Sequence, residues 1–102
     1  MQPEDSKQEI FRAKLNLETA KMPWREMQRY FASGAALFVS PDLDLVETAF
    51  QMSRDHKALI EQWMKAGQFG KVTDEQARCW LEADALLWAV VVSPWVLVQP
   101  VK

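Results

Sequence analysis

At 102 residues, with 49% hydrophobic and 25% charged side chains, the chain has the size and balance of one globular domain, too small for a deep two-lobed active site. The formal charge is −2, and Lys7, Arg12, Lys14, Lys21, Arg25 and Arg29 are diluted by acids of the same segments, which argues against a nucleic-acid partner. One cysteine (Cys79) cannot form an internal disulfide, and one histidine (His56) beside it leaves too few ligands for a zinc site, so no metal or cofactor is expected.

The opening "MQPEDSKQ" is polar and charged, without the apolar core of a signal peptide. It reads as a frayed tail over 1–6 ahead of one domain over 7–102, and with the lone cysteine it points to a reducing, cytoplasmic setting. From Lys7 the spacing predicts a helix with Ile10, Ala13 or Lys14, and Leu17 on one face, Phe11 and Leu15 beside them, and Ser6 with Glu9 as a capping box. A second helix is expected to open at Pro23, with Trp24, Met27, Tyr30 and Phe31 as its stripe and Gly34 as a left-handed cap. "AALFVS" (35–40) reads as a buried strand.

Ser40 then suits an N-cap, Pro41 a first helical residue, and Asp42 and Asp44 the positive end of the helix dipole. Leu43, Val46, Ala49 and Phe50 carry the stripe on until "SRDHKA" breaks it. Ser53 or Asp55 can cap the next helix, which holds Leu59, Ile60, Trp63 and Met64 and ends at Gly67; spacing leaves open whether 42–66 is a helical hairpin or one kinked helix. "FGKV" is a turn or a very short strand. In "TDEQARCWLEAD", Thr73 is the N-cap and Gln76 occupies the capping-box position, with Ala77, Trp80 and Leu81 on the apolar face.

"LLWAVVVSPWVLVQP" (86–100) closes the chain. Its apolar run, Leu86 to Val98, is shorter than the roughly 20 residues of a membrane helix, it is interrupted at Ser93-Pro94, and it is rich in valine. It therefore predicts two strands, near 86–92 and 95–99, with a bend at Ser93-Pro94 and the isomer of Pro94 open. The fold class is α+β: a small sheet from 35–40, 86–92 and 95–99, packed by four to five amphipathic helices. Three strands with helices on one side leave an apolar face bare, which predicts a homodimer with Trp95, Val91 and Trp88 at the interface. The alternative is that helices cover both faces.

No catalytic constellation emerges. His56 reads as an exposed first-turn residue beside Asp55, and Cys79 as a small packing residue. Asp42-Leu43-Asp44 has the form of a phosphotransfer D-x-D, but the later strands that such a site needs do not fit in this length. The first reading is thus a non-enzymatic interaction or assembly module that self-associates through its last strands. The alternative is a small-molecule binding or catalytic domain with its site at Ser40, Asp42 and Asp44, where free helix N–H groups meet acids that suit a cationic or hydroxylated ligand.

"KLNLETAKMPW", "FVSPDLDLVETA" and "VTDEQARCWLEADALLWAVVVSPWVLVQ" resemble a family of small uncharacterised bacterial proteins, a domain of unknown function. The resemblance runs over about 12–99 and is most specific at "LWAVVVSPWVLVQ". It implies a bacterial, cytoplasmic, single-domain protein and brings no activity, cofactor or functional residue.

Overall fold

The computed structural model describes residues 3–101, with side chains from Lys7 onward. The elements follow in the order α1 (Pro3–Glu18), β1 (Ala20–Pro23), a 3₁₀ turn (Trp24–Met27), α2 (Gln28–Ala32), β2 (Ala36–Val39), α3 (Leu45–Ser53), α4 (Lys57–Lys65), β3 (Phe69–Lys71), α5 (Asp74–Glu82), β4 (Leu86–Val92) and β5 (Trp95–Pro100). The strands form one sheet in the order β1-β4-β5-β2-β3. Only β2 and β5 run parallel; the other neighbours are antiparallel. The fold is α+β as expected, with five strands rather than three.

Period-two alternation divides the sheet's side chains between two cores. Leu37, Val39, Phe69, Val90 and Leu97 point to one face, where Leu15 of α1, Leu45, Ala49 and Phe50 of α3 and Ile60 of α4 close over them. Ala36, Leu87, Ala89, Val96 and Val98 point to the other, under Trp24 and Met27 of the 3₁₀ turn, Phe31 of α2 and Ala77 and Trp80 of α5. The bare face expected from the sequence is therefore absent, and the alternative holds. The C-terminal strands are apolar on both sides because both sides are covered from within the chain. Trp24 supplies the centre of the second core, with its ring 5.0 Å from Trp80 and 5.8 Å from Phe31, both edge to face.

Several local expectations need correction. Helix α1 begins at Pro3, so Ser6 lies inside it rather than capping it; residues 1–2 of the expected tail lie outside the described residues. The face of α1 predicted to pack, Ile10 and Leu17, is solvent-exposed (Leu17 at 84%), and the helix docks through Phe11 and Leu15 one step round. Arg12 fixes that rotation: its Nη2 donates to Glu47 Oε1 at 3.1 Å, Nε makes an ion-pair contact with Oε2 at 3.1 Å, and the guanidinium covers the Phe50 ring at 4.1 Å.

Pro23 ends an edge strand instead of opening a helix, a position where its missing N–H breaks no ladder. Gly34 does take the left-handed conformation (φ 79). Its N–H donates to Phe31 and that of Ala35 to Tyr30, the double closure of a Schellman cap. The same closure recurs with Asp84 (φ 48), whose N–H donates to Leu81 while that of Ala85 donates to Trp80.

Thr73 and Gln76 form the expected capping box. The 42–66 segment is two helices, and α4 is capped by His56, whose Nδ1 accepts the Leu59 N–H at 3.3 Å, rather than by Ser53 or Asp55. The Ser93–Pro94 peptide is cis, in a two-residue loop closed by the pair Val92 and Trp95.

Candidate functional site

Ser40 does not cap a helix. Its hydroxyl accepts the Asp42 N–H (3.2 Å) and its carbonyl the Leu43 N–H (3.0 Å), which folds 40–43 into a turn and delays the helix. Asp44 is the true N-cap of α3, with Oδ1 accepting the Glu47 N–H at 3.0 Å. Thr48, fully buried, donates its hydroxyl to the Asp44 carbonyl at 2.7 Å and so anchors this first turn to the core.

The turn is held to the sheet by Gln99 of β5, which is 9% exposed. Its Nε2 donates to the carbonyls of Ser40 (2.9 Å) and Leu43 (2.7 Å). Both amide hydrogens are thereby used, and two carbonyl partners identify this end of the side chain as the nitrogen. Oε1 accepts no hydrogen bond from a described residue, yet it is not among the polar atoms sealed from solvent. Directly opposite Gln99 in the β4–β5 ladder stands Trp88, on the same face.

The last turn of α1 and the chain leading into β1 close the other side. Asn16, Thr19, Leu43, Asp44, Leu45, Val46, Trp88 and Gln99 line an open, shallow crevice of about 290 Å³. Thr19 donates its hydroxyl to the Leu15 carbonyl at 2.7 Å, so only its oxygen lone pairs are offered outward. Lys21, paired across the strands with Trp88, holds its ammonium 5.0 Å from the indole centroid. Asp44 is the one charged side chain in the lining.

The structure thus joins Asp44 and Trp88, two residues expected at different sites. Ser40 lies buried behind the crevice and Asp42 is exposed on the turn; neither lines it. The three residues expected at one interface do not form one surface. Trp95 sits at the other end of β5, about 13 Å along the strand from Gln99, where it lines a separate cleft of about 330 Å³ with Met52, Ile60 and Val92. Val91 faces the opposite side of the sheet and is 55% exposed. Sequence reasoning missed Gln99, Asn16 and Thr19. Gln99 had a signal, as the one amide inside "WVLVQP": a polar group drawn into a core by its neighbours must find partners there.

A family model for proteins of unknown function matches residues 10–100. The chain belongs to DUF2288. This DUF2288 chain is also similar to a solved structure, that of PA1075 from Pseudomonas aeruginosa, determined in solution by NMR. The two share 43% sequence identity over 91% of this chain and 86% of the other, with a TM-score of 0.81. No curated protein matches. Among the described residues of the DUF2288 chain, no helix is long and apolar enough to cross a membrane, and no three His, Cys, Asp or Glu side chains cluster as a metal site would require.

Proposed function

We propose that the protein is a binding module for a small molecule, with the crevice between the 40–44 turn, the end of α1 and Trp88 as its site. The observation that carries this is Gln99. Its side chain is nine-tenths buried, both of its amide hydrogens are spent on structure, and its Oε1 is left as an unanswered acceptor in a residue that lines a crevice. Held by two hydrogen bonds through Nε2 and open to solvent at Oε1, the amide offers a fixed acceptor at a concave surface, the kind of placed polar group by which a small-molecule site orients its ligand. Binding rather than turnover fits the lining: one ionisable group, Asp44, is partly engaged in capping, and no nucleophile stands beside a base.

The test is an NMR titration with small fragments of cationic, anionic and neutral classes, read at the Trp88 indole N–H and the Gln99 side-chain amide. At least one class is expected to move both signals. If every class leaves them in place at millimolar concentration, the crevice is not a site.

Self-association through Trp88, Val91 and Trp95 has less to stand on, since the two cores use the apolar surface that was to drive it. Its remaining support is Val91, exposed at the corner of the sheet.

A further inference from the structure

We infer that the ligand of this crevice is a neutral polyhydroxylated molecule the size of one sugar ring, an inference that rests on the crevice being a binding site. The polar groups that the lining leaves open are of both kinds. Gln99 Oε1, Asp44 Oδ2 and the Thr19 hydroxyl oxygen, whose hydrogen goes to Leu15, are acceptors. The Trp88 indole N–H is a donor and the Asn16 amide is both, and neither side chain has a hydrogen-bond partner among the described residues. A cation answers the acceptors and leaves those donors aside. An anion answers the donors and meets the Asp44 carboxylate. A hydroxyl group donates and accepts at one atom, so several of them on one ring answer both sets together.

The rest of the lining fits the same class. The attraction of the Trp88 ring for a cation is already met within the chain, by the Lys21 Nζ at 5.0 Å from the ring centroid. What the indole adds to the crevice is its N–H and its apolar surface, beside that of Leu43, Leu45 and Val46. A sugar ring presents C–H groups to such a wall and hydroxyls around its rim. The crevice is open on one side, so hydroxyls that find no protein partner stay in water and carry no desolvation cost. At about 290 Å³ the space lies at the lower end for ligand sites, which suits one ring rather than a chain of them.

The experiment titrates the protein to millimolar concentration with methyl glucopyranoside, cyclohexylammonium and cyclohexanecarboxylate, probes built on rings of one size, read by NMR at the Trp88 indole N–H and the Gln99 side-chain amide. It is repeated with Asn16→Ala, a change at an exposed helical position that leaves the fold intact, as urea unfolding should show. The glucoside is expected to move both signals and the charged probes neither, and Asn16→Ala is expected to weaken the glucoside by about fivefold or more, the loss of at least one hydrogen bond. Preference for either charged probe overturns the hydroxylated assignment and leaves the crevice standing as a site. A glucoside bound equally well by Asn16→Ala is not held by the mixed lining, and that result overturns the assignment too. Silence from all the probes overturns the assignment and the site together.

Discussion

Replacing Gln99 with leucine removes the tie between the last strand and the turn that starts α3. Two hydrogen bonds are lost, to Ser40 at 2.9 Å and to Leu43 at 2.7 Å. At roughly 1 kcal/mol net for each, the direct loss is about 2 kcal/mol. The Ser40 carbonyl retains the Leu43 N–H, but that of Leu43 is left without its Gln99 partner, which adds roughly 1 kcal/mol. Burying an alkyl side chain in place of the amide returns about as much. The expected net cost is therefore about 2 kcal/mol, or a fall in Tm of roughly 8–16 °C for a domain of this size. Urea unfolding followed by tryptophan fluorescence should show the midpoint moving down with the slope unchanged. A Gln99→Leu protein within about 0.5 kcal/mol of the parent would refute the argument. It would mean that the turn is held by its own hydrogen bonds and that the amide is not structural.

Three further outcomes are expected. Asp44→Ala should destabilise the fold by about 1 kcal/mol while Asp44→Asn stays close to the parent, because asparagine caps and alanine does not; paired urea curves measure both. Leu97→Ala, at a side chain with no exposure between α3 and the sheet, should cost about 2–5 kcal/mol, whereas Val91→Lys should stay within about 0.5 kcal/mol, and sedimentation over a hundredfold dilution should give a monomer for the parent and for Val91→Lys alike. Asp84→Val should lose about 1–2 kcal/mol in thermal unfolding, since a β-branched residue is strained at φ 48 where the Schellman cap requires a left-handed residue.

Much of the architecture was legible because periodicity and caps are local properties. Thr73 with Gln76, Gly34 and Gly67 marked helix boundaries, and the two apolar runs about Ser93-Pro94 became β4 and β5. What was not legible depends on distant partners. Strand β1 has four residues, Ala20–Pro23, and little reason to be extended beyond its pairing with Leu86–Ala89 of β4. The docking face of α1 was misjudged because Ile10 with Leu17 and Phe11 with Leu15 both satisfy helical spacing; the choice between them is made by Glu47 and Phe50, more than thirty residues away. The delayed start of α3 has the same origin, since the turn at 40–43 is stabilised by Gln99 from the last strand. The crevice inherits that difficulty. Its lining comes from α1, the 40–44 turn, β4 and β5, and only Asp44 and Trp88 stood out beforehand.

The position of β5 in the sheet order has a consequence for synthesis. The last strand of the domain lies at the centre, between β4 and β2, and it floors both cores at once: Leu97 beneath one layer of helices, Val96 and Val98 beneath the other. While the ribosome is still making this hairpin, β2 has no parallel neighbour and neither helical layer has a complete surface to settle on. The emerging chain must therefore keep its apolar stripes unpaired until β5 has been translated, and folding of the domain waits for that strand. Any nascent chain cut short before Trp95 lacks the central strand on which both cores rest, and it cannot close them.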